Sequence, residues 1–375
     1  MKKRLVPTVR FPQFRDAVEW EAKQLKDVCQ MQAGKFVRAA EIHEKQELDF
    51  YPCYGGNGLR GFIKSFTHEG KYSLIGRQGA LCGNITLALG KFHATEHAVV
   101  VSPNNDVDTN WLFFMLGHLN LNQHATGQAQ PGLSVENLEK LPLAISTEEK
   151  EQQKIADCLS SIDALISAQS QKIEALRTHK NGLMQQLFPR AGETIPRLRF
   201  PEFRDVGEWE IKPFNELFTI GNGRDYKHLP SGDVPVYGSG GYMLSVNNFL
   251  YDGESVCIGR KGTINNPIFL TGKFWTVDTL FYTHSFKDCL PKFIYSIFQN
   301  INWLEHNEAG GVPSLSKANI AKIEVAIPKP KEQQKIADCL SSIDALIGAQ
   351  SQKLDTLKIH KKGLMQQLFP TLMKE

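Results

Sequence analysis

The run E-Q-Q-K-I-A-D-C-L-S-S-I-D-A-L-I at residues 151–166 returns letter for letter at 332–347. Extending the match, 33 of 40 positions agree between 150–189 and 331–370. Within the first copy, Ile155, Leu159, Ile162, Ile166, Gln169, Ile173, Leu176, Lys180, Leu183 and Leu187 follow one another at alternating steps of four and three. That is a heptad pattern, and it predicts a helix whose seam needs a partner. Ile336, Leu340, Ile343, Ile347, Gln350, Leu354, Leu357, Lys361, Leu364 and Leu368 repeat it. Ser146 with Glu149 three residues on reads as a capping box, and Pro330 suits a first helical turn. Phe-Pro pairs at Pro189 and Pro370 stop both helices. Each helix is then roughly 58 Å long at about 1.5 Å per residue.

Outward from the helices, a second motif is duplicated. R-F-P-Q-F-R-D at 10–16 returns as R-F-P-E-F-R-D at 199–205, and E-W-E at 19–21 returns at 208–210. Between these motifs and the helices the two copies diverge, and only short landmarks survive. Tyr54-Gly55 matches Tyr237-Gly238. Ile75-Gly76-Arg77-Gln78-Gly79 matches Ile258-Gly259-Arg260-Lys261-Gly262, and Gly90-Lys91-Phe92 matches Gly272-Lys273-Phe274. The chain therefore divides into a globular domain at 1–148, a helix at 149–189, a second globular domain at 190–330 and a second helix at 331–375. Near-identical helical parts do one job twice, while the diverged globular parts do different jobs of one kind.

The favoured partner for each seam is the other helix, in an antiparallel coiled coil with pseudo-two-fold symmetry. The alternative is that each helix lies on its own domain. Ile155, Leu159, Ile162, Gln169, Ile336, Leu340, Ile343 and Gln350 are the candidate pairing or partner-docking residues. The two glutamines interrupt the seam at equivalent positions, as polar register-setting residues do. Gly182 and Gly363 cost about 1 kcal/mol each inside a helix. They point either to close approach of another backbone or to fraying of the last turns.

The globular parts read as mixed α/β. Residues 72–75 and 255–258 have the character of strands entering a glycine turn, and 98–102 and 280–283 that of buried strands. Helices are expected at 110–121 and 291–304. In the Gly-Arg-x-Gly turns, glycines permit close backbone approach, and the arginine can reach a phosphate or a guanine edge. An internal salt bridge is the competing role. Tyr54, Asn57, Arg60, Arg77, Gln78, Tyr237, Ser239, Arg260 and Lys261 are the candidate DNA-binding residues. Lys64, Arg224, Lys227, His228 and Trp275 are further candidate contacts.

Composition narrows the class. A hydrophobic fraction of 41% supports real cores, and 22% charged residues excludes a mostly disordered chain. Net charge is only +3, so a DNA-binding role would leave much of the phosphate neutralisation to a partner. Cys29, Cys53, Cys82, Cys158, Cys257, Cys289 and Cys339 are scattered, without zinc-ligand spacing, and read as reduced thiols in the cytoplasm. No run of 18 apolar residues suggests a membrane span. Gly56-Asn57-Gly58-Leu59-Arg60-Gly61 matches G-x-G-x-x-G, but alone and without the acidic ribose partner. Asn266-Pro267-Ile268-Phe269 lacks the second proline of the N-P-P-F/Y motif of amino-methyltransferases and reads as a turn or strand. No P-loop, H-E-x-x-H, G-x-S-x-G or metal cluster is visible, so neither a catalytic residue nor a metal site is assigned.

The duplicated R-F-P-x-F-R-D…E-W-E, with E-Q-Q-K-I-A-D-C-L-S-S-I-D-A-L-I leading into G-L-M-Q-Q-L-F-P, resembles each half of type I restriction-modification specificity subunits. The resemblance covers nearly the whole chain in the order variable domain, helix, variable domain, helix. It implies a non-catalytic subunit with two target-recognition domains reading a bipartite site in double-stranded DNA. The helices would be a spacer and docking surfaces for two modification subunits. S-adenosylmethionine would belong to those partners, and ATP and magnesium to restriction subunits. A coiled-coil adaptor or a remnant of a fused methyltransferase-nuclease are the alternatives.

Overall fold

The computed structural model describes residues 5–79, 81–127, 131–190, 192–370 and 372. The chain forms two compact units, one of residues 1–170 with 353–375 and the other of residues 171–352. The α-helices in chain order are α1 (Leu25–Val28), α2 (Thr109–His118), α3 (Val135–Glu139), α4 (Glu149–Leu187), α5 (Phe214–Leu217), α6 (Pro291–Asn300), α7 (Lys317–Ala321) and α8 (Pro330–Leu368), and each of the two long ones is shared between units. Helix α4 (Glu149–Leu187) starts in the first and ends in the second, and α8 (Pro330–Leu368) does the reverse.

The first unit pairs β1 (Glu21–Gln24) with β8 (Pro142–Ile145). Its main sheet has six strands in the order β2-β7-β5-β6-β3-β4: β2 (Cys29–Ala33), β3 (Tyr51–Gly55), β4 (Gly58–Ile63), β5 (His68–Gly76), β6 (Ile85–Ala94) and β7 (Ala98–Pro103). All neighbours are antiparallel except β3 and β6. Gly70 and Gly90 face each other across β5 and β6, both at positive φ, a conformation that suits glycine. Helix α2 (Thr109–His118) covers the sheet, capped by the Asp108 carboxylate accepting from Trp111 N–H.

The second unit repeats the scheme in broken form. Strand β9 (Glu210–Pro213) pairs with β18 (Glu324–Ile327). One four-stranded sheet runs β10 (Thr219–Asn222), β17 (Leu280–His284), β14 (Ser255–Gly259), β15 (Ile268–Leu270). Another runs β12 (Gly241–Val246), β11 (Ser231–Gly238), β16 (Lys273–Thr276), β13 (Tyr251–Asp252). The break falls at Gly253 and Gly272, again at positive φ. Here α6 (Pro291–Asn300) takes the place of α2.

The duplicated motifs meet in one buried latch per unit. The Glu151 carboxylate, on the first turn of α4, accepts from Arg10 Nε (2.6 Å) and Nη2 (2.8 Å), Trp20 Nε1 (3.1 Å) and Ser146 Oγ (2.6 Å). The Arg10 and Glu151 side chains are 6% and 1% exposed. In the second unit Glu332 accepts from Arg199 Nε (2.7 Å) and Nη2 (2.8 Å) and Trp209 Nε1 (3.3 Å). The adjacent glutamines complete each latch. Gln152 accepts from Asp108 N–H and donates to the Asp106 and Ser146 carbonyls. Gln333 accepts from Leu290 N–H and donates to the Asp288 and Pro328 carbonyls.

Two expectations need correction. Ser146 bonds Glu151 rather than Glu149, because Glu151 is already drawn inward by Arg10; its hydroxyl also accepts from Glu148 N–H. Ile155 and Leu159 lie in the core of their own domain with Trp20 and Trp111, and the same core takes in Leu368 and Phe369 from the end of α8. Ile336 and Leu340 likewise lie with Trp209, Phe293, Leu187 and Phe188. The root of each seam therefore serves a domain as well as a helix end. Ile162 and Gln169 are buried farther along α4, and Ile343 and Gln350 are half-buried. A Cβ at Gly182 or Gly363 would meet nothing within 4 Å among the described residues.

Five cysteines are buried, while Cys158 and Cys339 are half-buried. Burial pushes the Cys29 and Cys257 thiols up to about 12, which keeps them protonated.

Arg10→Met leaves the Glu151 carboxylate buried and uncompensated, and should cost the first unit about 3–5 kcal/mol in denaturant unfolding. Adding Glu151→Leu should recover part of that loss, since no lone charge then remains inside.

Candidate nucleic-acid interface

In each unit the β-hairpin turn and the Gly-Arg-x-Gly turn come together. In the first unit the hairpin turn is Gly55-Gly56-Asn57-Gly58, with Gly58 at φ +85°. A Cβ at Gly76 would lie 2.0 Å from the Gly56 carbonyl oxygen, so contact between the two turns requires glycine there. Arg77 N–H donates to the His97 carbonyl (2.8 Å), and the Arg77 carbonyl accepts from Leu133 N–H (2.8 Å). The second unit repeats this with Arg260 N–H to the Thr279 carbonyl (2.8 Å) and Leu315 N–H to the Arg260 carbonyl (2.9 Å). Each arginine backbone is thus pinned from both sides. The Arg77 side chain is half-exposed and shows no polar partner among the described residues. Arg260 is exposed and makes one long contact, 3.5 Å, to the Asp278 carbonyl.

Beside the first turn lies an open cleft of about 490 Å³, walled by residues 55–60, Gln78, Gly79 and His97. It brings together three candidates, Asn57, Arg60 and Gln78, all exposed. Asn57 Oδ1 accepts from Asn84 Nδ2 at 3.1 Å, which orients its amide. Arg77 stands outside the lining. His97 was not a sequence candidate. Its Nε2 lies 3.2 Å from Glu96 Oε1, while its Nδ1 and Glu96 Oε2 are buried without a hydrogen-bond partner among the described residues. Nothing in the local pattern marks His97; only the backbone bond from Arg77 carries it to the cleft.

The second unit splits its candidates. Ser239 lines a recess of about 800 Å³ with Asp225, Lys227, Tyr242, Asp278 and Thr279. Arg260 and Lys261 line a neighbouring recess of about 450 Å³ with Asn222, Glu308 and Lys317. The corresponding positions differ chemically: Glu96-His97 in one unit stands where Asp278-Thr279 stands in the other.

Tyr54 and Tyr237 are half-buried and pack against neighbouring rings. The Tyr54 ring stands edge-on to Phe92 at 5.8 Å, and burial pushes its phenol above the usual range. Tyr237 is half-buried, edge-on to Tyr242 at 6.1 Å. Trp275 is only 6% exposed and donates its indole N–H to the Arg224 carbonyl. Lys64 lies over the Phe50 ring and His228 stands edge-on to Trp275. Ile268 begins β15, as its reading as a turn or strand required. Among the described residues no group of three or more His, Cys, Asp or Glu could hold a metal, and no helix is long and apolar enough to cross a membrane.

The sequence profile described as "Type I restriction modification DNA specificity domain" matches twice, at residues 17–178 and 207–358. The chain belongs to that family. This specificity subunit therefore carries two DNA-recognition domains and, like its relatives, is not the catalytic component. It is 46% identical over 154 residues to the type I restriction enzyme EcoprrI specificity subunit of Escherichia coli. That match covers 41% of this chain and 38% of the relative. The MjaVIII specificity subunit of Methanocaldococcus jannaschii matches at 23% identity over 404 residues, 92% of this chain and 91% of that one. The crystal structure of a type I restriction-modification S subunit from M. genitalium shares the fold, with a TM-score of 0.70 at 16% identity, covering 98% and 100% of the two chains.

Proposed function

We propose that the two domains read two different half-sites of one bipartite DNA target, with the turn-and-cleft region of each as the reading surface. The observation that carries this is a common frame with unlike linings. Both units pin a Gly-Arg-x-Gly arginine by the same pair of backbone bonds. The clefts beside the equivalent hairpin turns present Asn57, Arg60, Gln78 and His97 in one unit and Asp225, Lys227, Ser239 and Asp278 in the other. Amide side chains suit adenine, arginine and lysine suit guanine, and carboxylates accept from cytosine amino groups. A residue common to both domains cannot distinguish two half-sites, so Arg77 and Arg260 serve the contact that all DNA offers, the phosphate backbone.

The helices hold the domains apart as an antiparallel pair about a pseudo-two-fold axis. Support comes from one ion pair that occurs twice with the helices exchanged. Lys361 Nζ lies 2.6 Å from Asp163 Oδ1 in the first unit, and Lys180 Nζ lies 2.7 Å from Asp344 Oδ1 in the second. Asp163 and Asp344 are equivalent positions of the repeat, as are Lys180 and Lys361. Leu165 and Leu346, also equivalent, are 56% and 42% exposed and offer modification subunits a matched apolar contact on each helix. Methyl transfer with S-adenosylmethionine belongs to those partners, and ATP- and magnesium-dependent cleavage to restriction subunits. All act on DNA in the cytoplasm.

Replacing residues 36–130 by another recognition domain should change one half-site in the methylation pattern of a host carrying the complete system. Both half-sites changing together would refute separable reading. Arg77→Ala and Arg260→Ala should each weaken binding to all sequences alike and lower the salt slope by about one. Relaxed preference at a single base pair would instead assign the arginine to base reading.

A further inference from the structure

We infer that the bulge following each hairpin turn is a reading element, and that Met243, with Tyr242 beside it, takes the C5-methyl group of a thymine in the half-site read by the second unit. This rests on the bipartite reading proposed above.

Strand register carries the first step. In the first unit β3 and β4 pair Cys53 with Gly61 and then Tyr54 with Leu59, which leaves Arg60 as an extra residue. In the second unit β11 and β12 pair Val236 with Leu244 and then Tyr237 with Tyr242, which leaves Met243 extra at the same place. A regular strand sends neighbouring side chains to opposite faces, so one of each pair would turn inward. A bulge breaks that alternation and re-aims the side chains. Leu59 and Arg60 are accordingly both exposed, and so are Tyr242 at 62% and Met243 at 48%.

Packing seats the two bulged residues alike. The Arg60 side chain crosses Gly55, with Cδ 3.7 Å from where a Cβ would stand. The Met243 side chain crosses Gly238, the equivalent glycine, with Sδ at 3.0 Å. Leu59 and Arg60 border the cleft of the first unit, and Tyr242 and Met243 border the recess of the second. One backbone device thus delivers a guanidinium to one cleft and a thioether to the other. The seat is common and the chemistry is not, which is the pattern a discriminating contact requires.

Chemistry then decides what Met243 selects. The Tyr242 hydroxyl is engaged with Ser245 Oγ at 3.2 Å, which leaves its ring and the neighbouring thioether as the contact surface. Thymine alone among the four bases presents an apolar group in the major groove, its C5-methyl. An unbranched, polarisable thioether adapts well to such a contact. Arg60 in the same seat suits guanine O6 and N7 instead.

The test uses the full chain and duplexes carrying the motif that it selects from a random pool. The half-site of the second unit is the one that replacing residues 36–130 leaves unchanged. Deoxyuridine is placed at each of its thymines in turn, which deletes one methyl group and keeps the base pair. The wild-type chain should lose about fourfold in affinity at one such position, the weight of one buried methyl group. Met243→Ala should bind the thymine and deoxyuridine duplexes equally there. Met243→Arg, in a repeated selection, should shift preference at that position toward guanine and leave the other half-site as it was. A half-site without thymine, wild-type affinity indifferent to deoxyuridine at every position, or a penalty that Met243→Ala leaves at full size would overturn the inference and leave the bipartite reading standing. Failure of the wild-type chain to select a bipartite motif would overturn both.

Discussion

Two carboxylates hold this molecule in order. Glu151 and Glu332 each sit on the first turn of a long helix, fully enclosed, and each is satisfied by an arginine fork and an indole N–H. A buried carboxylate without such partners would be strongly unfavourable, so helix and domain cannot separate without exposing or stranding a charge. This explains why two motifs more than a hundred residues apart in sequence are duplicated together. R-F-P-x-F-R-D…E-W-E supplies the donors, E-Q-Q-K supplies the acceptor, and neither is satisfied without the other.

The division of labour follows from that frame. Whatever both units share is frame: the latch, the facing glycines at the sheet corner, and the pinned Gly-Arg-x-Gly turn. The side chains on the cleft walls differ.

Much of this was legible in the chain. The heptad steps and the Phe-Pro stops located the helices because both are local physics: side-chain periodicity, and the steric limits of proline. The Gly-Arg-x-Gly landmark marked a turn that packs on the neighbouring hairpin turn, because only glycine tolerates the approach seen at Gly76. What was not legible depends on contacts across the fold. Ser146 has a glutamate three residues away and another five away, and only the distant Arg10 decides which it meets. Ile155 and Ile162 share one seam, yet Ile155 faces a domain core that no periodicity announces. Tyr54 and Tyr237 pack against neighbouring rings and Trp275 donates to the Arg224 carbonyl, contacts across the fold that no local pattern announces. His97 carried no sequence signal, since its place in the cleft follows from a backbone bond made by Arg77.

The most direct test of the proposed two-headed reader with paired helices is to lengthen the helices. One heptad would be inserted between Ile166 and Ile173 and another between Ile347 and Leu354, which preserves the four-three seam. Each helix grows by about 10.5 Å, close to three base pairs at about 3.4 Å each. DNA selected by the lengthened chain should keep both half-sites and carry a gap longer by about three base pairs. Affinity should be lower, because the second half-site is also turned by roughly a quarter turn or more. An unchanged gap bound with unchanged affinity would contradict the claim that these helices set the distance between the two reading domains.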